Sequence, residues 1–515
     1  MFALLLATAF AESPPQPPGP ASVHQLHRQL ELGALRDPSA LPLPMPLPDP
    51  TPGPDARVYG YMPYWAGSLD TMPWDHLSDI ALFSADVDTA GNLSNTSRWG
   101  DIELAVATAS AYDVKVHLCV TNFDRSELEV LLGSTAAKTR LIDALRDEVQ
   151  STGAHGVNID FENLPSSRRE EMVEFIIDLE AAVGEVVIAT PSVDWSDAWD
   201  YGALTDHADL FIMGYGYHWS GSDNAGPVDP LFAGSLWAPW TLEWSVTDYK
   251  SAGADPERII LGLPLYGYSW PTPNDSVPGT NTGTGTSVVW SAAQTQAALH
   301  GRNWESQSLT PWYYDGTKQT WYSDVPSVSE RAIYAIDVEE VGGIGFWALG
   351  YDNGDEALWD AVRERTVFDV PDDPDVPPAD PEFVAVTGQP FLAYVGDVAI
   401  LSGSASTGPS GLSLRYEWTQ TAGPPVDLVL IEPPLPKFEI TEVGTHAFSL
   451  RVGDGTRWSA PVTAHVIVLD PAAGRRHEQC GCVTTGSSAW GMLTLLGLLT
   501  IRRRNRDGET PRERS

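Results

Sequence analysis

The sequence has little cysteine, little lysine and a large deficit of positive charge. Only three of its 515 residues are cysteine, which is too few for a disulfide framework. Lysine plus arginine total 30 against 69 aspartates and glutamates, and the formal net charge is −39 at pH 7. A surface this acidic repels phosphate backbones. The composition therefore argues against nucleic-acid binding and favours a neutral or cationic partner.

The chain has enough apolar material for a packed core. The hydrophobic fraction is 43 %, which excludes general disorder. The length predicts about two to four domains, one of which can be large. Tryptophan occurs 19 times, a high count for this length. Tryptophan packs in cores, but its flat face also stacks on sugars in carbohydrate clefts.

Both ends of the chain carry features of an exported protein. Residues 1–11 are apolar and end in an Ala-x-Ala pattern, which predicts a signal peptide although no positive residues precede it. Near the other end, Cys480 and Cys482 precede a short apolar run and then Arg502–Arg504. This order resembles a myxobacterial-type C-terminal sorting signal, and a plain tail anchor is the alternative. We expect export and surface display, with membrane attachment only through residues 471–515.

Two proline-rich stretches divide the rest of the chain. Residues 12–56 and 369–382 are predicted linkers, because proline fixes φ and removes a hydrogen-bond donor. A short helix is predicted around His24–Leu35 inside the first of them. The linkers bound a large domain, 57–368, and a smaller one, 383–470.

The large domain is predicted to be an α/β barrel. Eight β-rich apolar runs alternate with helical patterns such as 136–150 and 167–183, which predicts a parallel sheet closed into a (β/α)₈ TIM barrel. The stretch from about 270 to 330 is too long for a loop and predicts a small inserted subdomain before the eighth strand. The predicted strands are 58–64, 79–86, 115–122, 156–162, 186–193, 210–217, 259–268 and 343–351.

Residues 383–470 have the alternation of an all-β sandwich. Short half-buried runs such as 415–420 and 445–452 are separated by glycine, proline and serine, with no helical period. The strings 416–426 and 452–455 resemble the polycystic-kidney-disease-type immunoglobulin-like repeat. Such modules are spacers or weak binders, so no chemistry is assigned to this domain.

The strongest chemical signal is a strand that ends in two carboxylates. Within Gly156–Asn163, Asp160 and Glu162 are two residues apart, so their side chains point to one face at the carboxyl end of the strand. That end is where barrel enzymes build their active sites. Two close carboxylates raise each other's proton affinity, which allows one to act as a general acid. The alternatives are a helix cap or solvated pair, and metal ligation with His155.

The surrounding motifs resemble glycoside hydrolase family 18. The match runs from about residue 57 to 367, in family-like order and spacing. It is carried by the following strings: Gly-x-Asn-x-Asp-Phe-Glu at 156–162, Met-Gly-Tyr at 213–215, Gly-Ile-Gly-Phe-Trp-Ala-Leu-Gly-Tyr at 343–351, Gly-Tyr-Met-Pro-Tyr-Trp at 60–65 and Leu-Gly-Leu-Pro-Leu-Tyr-Gly-Tyr at 261–268.

This resemblance implies retaining hydrolysis assisted by the substrate's own 2-acetamido group. Glu162 would be the general acid and then the base, and Asp160 would stabilise the charged oxazolinium. Tyr215 would donate its hydroxyl to the acetamido carbonyl, while Trp347 would form the floor under the sugar with Met213 beside it. The implied substrate is an N-acetylglucosamine-containing polysaccharide, either chitin or peptidoglycan. The implied protein is a monomer that needs no cofactor and no metal.

The sequence departs from the family pattern at three positions. The family often has aspartate where His155, Asn158 and Gly216 stand. Asn158 can still hydrogen-bond Asp160, so the pH profile rather than activity itself is expected to change. The overall form is closer to the peptidoglycan-directed branch with spore-cortex-lytic glucosaminidases than to the long-cleft chitinases.

Further aromatic residues are candidate sugar platforms. Tyr61, Trp65, Trp219 and Trp270 fall at predicted strand ends or loops on the face of the site, and core packing is the alternative for each. The competing function is a glycan-binding surface lectin of the same fold. Such lectins typically lose the acid, whereas this chain keeps Glu162. A structural adhesin would leave Asp160, Glu162 and Tyr215 together unexplained.

Overall fold

The computed structural model describes most of the two predicted domains. The predicted signal peptide, the second predicted linker and the C-terminal segment lie outside the described residues, as does most of the first predicted linker. Of the first predicted linker, the structure describes a helix, Val23–Leu30, and the residues from 54 onward. The described ranges are 22–30, 54–367, 383–387, 391–409, 412–432, 435–442 and 444–469.

Eight parallel strands close into a barrel, as predicted. Each pairs with its neighbour in chain order, and the first strand pairs with both the second and the eighth. The strands are almost wholly buried, because parallel strands covered by helices are shielded on both faces. They are β1 (Arg57–Pro63), β2 (Asp79–Val87), β3 (Lys115–Asn122), β4 (Gly156–Phe161), β5 (Glu185–Pro191), β6 (Asp209–Met213), β7 (Ile259–Pro264) and β8 (Gly343–Trp347).

The helices between the strands begin at polar caps. The side chains of Asp101, Asp124, Ser134 and Thr241 each accept a hydrogen bond from a backbone N–H in the first turn of the following helix. The α-helices of the barrel are Ile102–Ser110, Arg125–Leu132, Thr135–Thr152, Arg169–Val183, Tyr201–Thr205, Leu242–Ser251, Val325–Ala332 and Glu356–Thr366, and a π-helical segment, Ile333–Val338, follows the seventh of them.

The predicted seventh strand, 259–268, is divided in the structure. Its first half is β7, which pairs in the barrel, and its second half, Tyr266–Pro271, pairs antiparallel in a separate sheet. The change occurs at Leu265, whose N–H donates to the Trp347 carbonyl in the last hydrogen bond of the ladder between β7 and β8. This second sheet and the helix Trp290–His300 form the inserted subdomain. Its strands, in spatial order, are Thr286–Val289, Tyr266–Pro271, Lys318–Trp321, Thr310–Tyr314 and Asn303–Glu305.

The later part of the chain is a two-sheet β domain. Phe438 from one sheet and Phe448 and Val466 from the other share a buried core, so the sheets pack face to face. The larger sheet contains Phe391–Tyr394, Arg415–Ala422, Gly444–Gly453 and Val462–Leu469, and the smaller contains Val398–Ile400, Val429–Glu432 and Leu435–Glu439. Across the described ranges, none of the helices combines the length and the apolar character needed to cross a membrane.

Candidate active site

Strand β4 delivers the paired carboxylates to the carboxyl end of the barrel. Asn158 and Asp160 alternate with apolar residues and are fully buried. Glu162 follows directly after the strand, and its backbone N–H donates to the carbonyl of Asn122 at the end of β3. The register between β3 and β4 therefore fixes the backbone position of Glu162.

The structure brings the four principal predicted residues around one small volume, which is filled by the imidazole ring of His24. Its Nδ1 lies 2.7 Å from Asp160 Oδ2 and 3.8 Å from Glu162 Oε1. Its Nε2 lies 2.6 Å from the hydroxyl of Tyr215. The ring stacks on the Trp347 indole with centroids 3.8 Å apart. Asp160, Glu162, Tyr215 and Trp347 thus surround a single hollow.

The electrostatics of the hollow favour a protonated Glu162. Burial and the neighbouring charge of Asp160 raise the pKa of Glu162 well above its usual value, against weaker lowering by Ser22 and Arg28. Burial, with Asp160 and Glu162 nearby, also raises the pKa of Tyr215 well above its usual value. Both shifts favour the neutral, proton-bearing forms of the Glu162 carboxyl group and the Tyr215 phenol, which are therefore the candidate donors facing the hollow.

A layer of aromatic and amide groups lies beneath the hollow. Trp347 makes T-shaped contacts with Phe83 and Tyr61, with ring centroids 4.8 Å and 5.6 Å apart. The hydroxyl of Tyr61 accepts a hydrogen bond from Asn158 Nδ2 at 3.0 Å. The hydrogen bond expected between Asn158 and Asp160 is not formed, because the Asn158 amide is turned toward Tyr61. Among the described residues, Asp160 Oδ1 has no hydrogen-bond partner.

The predicted sugar platforms differ in how accessible they are. Trp65 is buried, and its Nε1 donates to the hydroxyl of Tyr351. Trp270 is fully buried in the inserted sheet, with its Nε1 donating to the carbonyl of Trp219. The rings of Trp65, Trp270 and Tyr61 are therefore packed in the core, which was the alternative to a role as sugar platforms. Trp219 remains half-buried and keeps part of its surface open.

A cavity of about 270 Å³ adjoins the hollow beside Glu162 and Ser22. Its lining includes Arg125, Trp195 and Met213, so it combines one cationic group with apolar and aromatic surface. Met213 therefore lines this cavity together with Glu162 and Tyr215.

His155 lies at the other end of the strand. It is exposed, it precedes β4, and its Nδ1 accepts a hydrogen bond from the Val116 N–H. It therefore cannot share a metal ion with Glu162 at the carboxyl end. Within the described ranges, two groups have the donor atoms and spacing for a metal ion: His24 with Asp160 and Glu162, and Asp79 with His117 and Glu185.

Gly216 has a structural reason to be glycine. Its φ is +81°, a conformation that side-chain-bearing residues rarely adopt. A Cβ placed there would lie 3.8 Å from a methyl group of Val23. The backbone conformation after Tyr215 therefore favours glycine at position 216.

The residues that sequence reasoning missed come from the N-terminal helix and from Ser22, which precedes it. Ser22, His24, His27 and Arg28 contact the site, yet the sequence places them in a proline-rich linker. The available signal was their spacing, since His24, His27 and Arg28 lie at i, i+3 and i+4 and share one helical face.

Comparison with known proteins agrees with the barrel's geometry. Residues 57–352 match the family model described as Glycosyl hydrolases family 18. YdhD of Bacillus subtilis (strain 168), whose name describes a sporulation-specific glycosylase, is 28 % identical over 292 residues, covering 53 % of this chain and 66 % of that protein. The chitinase of Autographa californica nuclear polyhedrosis virus is 28 % identical over 210 residues, covering 36 % of this chain and 37 % of that protein.

A solved structure shares the fold. The GH18 chitinase of Cycas revoluta, crystallised as a mutant with (GlcNAc)4, superimposes with a TM-score of 0.56 at 18 % identity, covering 60 % of this chain and 99 % of that chain. The present chain spans less than two thirds of the length of both curated relatives. The family model, however, covers more than half of the chain. The chain belongs to glycosyl hydrolase family 18.

Proposed function

We propose that this chain is a retaining glycoside hydrolase that cleaves β-1,4 bonds in N-acetylglucosamine polysaccharides. The observation that carries the proposal is the single hollow bounded by Asp160, Tyr215, Trp347 and Glu162, whose pKa is raised. An acid, a carboxylate, a phenol donor and a flat apolar floor are the groups that acetamido-assisted cleavage requires.

In the first step, Glu162 gives its proton to the glycosidic oxygen and the bond from that oxygen to the anomeric carbon breaks. The acetamido carbonyl oxygen attacks the anomeric carbon, and an oxazolinium forms while the remaining sugar leaves as an alcohol. The Asp160 carboxylate binds the acetamido N–H and stabilises the positive charge. The Tyr215 hydroxyl orients the carbonyl oxygen.

In the second step, the Glu162 carboxylate takes a proton from a water molecule. The water oxygen attacks the anomeric carbon on the face that the leaving group vacated, and the oxazolinium ring opens to the acetamido group. Two inversions give net retention, and no nucleophile from the protein is needed.

The presence of a glutamic acid at position 162 distinguishes a hydrolase from a lectin of the same fold. A lectin of this fold needs the floor and the polar groups but has no use for an acid with a raised pKa. We therefore favour the enzyme. We also propose that it acts outside the cytoplasm at the cell surface, on the basis of the sequence patterns at 1–11 and 471–515.

The test is hydrolysis of chitin oligomers and of peptidoglycan glycan strands by the full chain and by its His24→Ala variant, which lacks the ring that fills the hollow. The soluble products are analysed by mass spectrometry. We expect Glu162→Gln to lower turnover by about 10²- to 10⁴-fold while oligosaccharide binding is kept. The matched control is Glu170→Gln, an exposed carboxylate on a surface helix. Binding without turnover in every variant would support the lectin instead. The same products decide between chitin and peptidoglycan.

A further inference from the structure

The segment Ser22–Leu30, called the plug segment below, occupies the hollow that the proposed mechanism assigns to the sugar. It comprises Ser22 and the helix Val23–Leu30. His24 and His27 are fully buried, although both belong to a short segment far from the barrel in sequence. Their burial comes entirely from insertion into the carboxyl end of the barrel.

The His24 imidazole presents the same pattern of atoms as an acetamido group. Its two nitrogens are separated by one carbon, as the nitrogen and oxygen of an amide are. One nitrogen faces Asp160 at 2.7 Å and the other faces the Tyr215 hydroxyl at 2.6 Å. The ring lies flat on Trp347. The side chain thus satisfies the polar groups and covers the apolar floor at the same time.

Ser22 forms a hydrogen bond with Glu162, the proposed acid. Its hydroxyl donates to Glu162 Oε1 at 2.5 Å, and Ser22 Oγ in turn accepts a hydrogen bond from the backbone N–H of Gln25 at 2.9 Å. In the proposed mechanism, the glycosidic oxygen of the substrate must approach this carboxyl group. A hydroxyl from the chain therefore stands where the leaving oxygen would be.

Two further residues anchor the plug segment. His27 Nδ1 accepts a hydrogen bond from Trp347 Nε1 at 2.9 Å. Burial, with a smaller contribution from His24, lowers the pKa of His27 to about 3, so it is neutral at physiological pH. Arg28 forms an ion pair with Asp86 and lies over the Phe123 ring at 5.2 Å. The plug segment thus contacts Asp86 of β2 and Trp347 of β8 on one side of the barrel entrance. On the other side it contacts Glu162 after β4 and Tyr215 after β6.

We infer that the plug segment is an internal inhibitor that binds the sugar site in place of the acetamido sugar. The chain is then latent until the segment is displaced or cut away. This inference rests on the proposed function, because it identifies the hollow as the sugar site. It also assigns that site a second ligand class, namely histidine-containing helical peptides.

The covalent connection between the plug segment and the barrel favours binding of the segment in the hollow. Residues 31–53 join the plug segment to β1, and seven of these 23 residues are proline. A stretch of that length reaches up to about 75 Å when extended, which is ample for docking onto the same barrel. Tethering over such a distance gives an effective concentration on the order of millimolar. Even a weak intrinsic affinity therefore keeps the site filled.

The direct test is His24→Ala in the full chain, with hydrolysis of a fluorogenic chitobiose followed. Loss of the imidazole removes the stacking and both hydrogen bonds, so we expect turnover to rise about tenfold or more. The matched control is Gln29→Ala, an exposed residue of the same helix, which should leave the rate unchanged. A fall in turnover would assign His24 to catalysis, and an unchanged rate would show that the segment does not block the site. Either result overturns the inference.

A binding experiment separates this inference from the proposed function. A synthetic peptide of residues 20–32 is added to the His24→Ala chain with a labelled N-acetylglucosamine tetramer, and fluorescence polarisation is read. We expect the peptide to displace the tetramer, and a peptide carrying the same substitution to be at least tenfold weaker. Tetramer binding that the native peptide does not reduce overturns the inference. Displacement without any turnover keeps the inference and refutes the hydrolase.

Discussion

Glu162 is the residue on which the acid chemistry depends, and its proton affinity has two identifiable sources. Burial is the larger one, and the negative charge of Asp160 is the second. Both disfavour the carboxylate. The acid form therefore persists to higher pH than it would for an exposed glutamate, and activity should be lost as pH rises through the Glu162 pKa.

Removing the charge at position 160 tests this cause. We expect Asp160→Asn to lower the pKa of Glu162, because a neutral neighbour no longer opposes ionisation. The alkaline limb of the kcat/KM profile should then move to lower pH, in addition to a loss of rate. The measurement is the pH–rate profile in the His24→Ala background. A limb at unchanged pH would mean that Asp160 does not influence the acid.

Tyr215 is the second residue-scale prediction. Its hydroxyl is the donor that faces the proposed acetamido carbonyl, so Tyr215→Phe should lower kcat by about 10²- to 10³-fold with little change in folding. Tyr314→Phe is the control, since the Tyr314 hydroxyl donates to the carbonyl of Gly316 in the inserted subdomain. Equal rates for the two variants would remove Tyr215 from the mechanism.

The elements of the barrel follow from hydrophobic pattern, and the places where prediction failed have physical reasons. Seven of the predicted strands keep their positions to within a few residues, because buried parallel strands are continuous apolar runs. The run 259–268 is equally continuous, so its pattern could not reveal that Leu265 ends the barrel ladder. The same limitation applies to Trp270, whose burial depends on the inserted sheet.

The N-terminal helix was predictable as a helix but not as an occupant of the site. Its contacts with the barrel join residues far apart in sequence, such as Ser22 and Glu162. Local pattern carries no information on pairing at that distance. The principal site residues were predictable because their own strands place them at one end of a barrel.

One buried ion pair connects the loop after β6 to the inserted subdomain and the helix that follows it. Arg331 Nε donates to Asp229 Oδ2 at 2.6 Å, and its other nitrogens donate to the carbonyls of Leu309 and Ser327 among others. Both charged side chains are fully buried. A charge left alone there would be neither solvated nor paired.

We therefore expect Arg331→Met to lower the free energy of unfolding by about 3–5 kcal/mol, measured by denaturant titration. The control is Arg146→Met, a surface pair with Asp143 that should contribute at most about 1 kcal/mol. Losses of similar size would contradict this account.

The pH dependence of the Arg331 effect has a definite sign. Burial raises the pKa of Asp229 to about 6 even though Arg331 lowers it, so the folded state binds this proton more tightly than the unfolded state does. The contribution of Asp229 to stability is then greatest at low pH and falls as pH rises toward 6. Without Arg331 the pKa of Asp229 is higher still, so the free energy of unfolding continues to fall to higher pH. The destabilisation by Arg331→Met should accordingly be smaller in acid than above pH 6.

At the scale of the whole molecule, the net charge of −39 attracts cationic polymers and repels anionic ones. Partially deacetylated chitin is cationic, so its binding should weaken as salt screens the attraction, whereas binding of a fully acetylated oligomer should not. Cleavage should nevertheless require an N-acetyl group at the site of attack. Affinity measured at two ionic strengths checks the first point, and product sequence checks the second.

The stereochemistry of the first product tests the central claim most directly. Proton NMR of the reducing ends released from an N-acetylglucosamine tetramer by the His24→Ala chain, recorded before mutarotation, gives the anomeric configuration at the cleaved bond. Acetamido participation with Glu162 as acid and base predicts the β-anomer first. Initial formation of the α-anomer would contradict it.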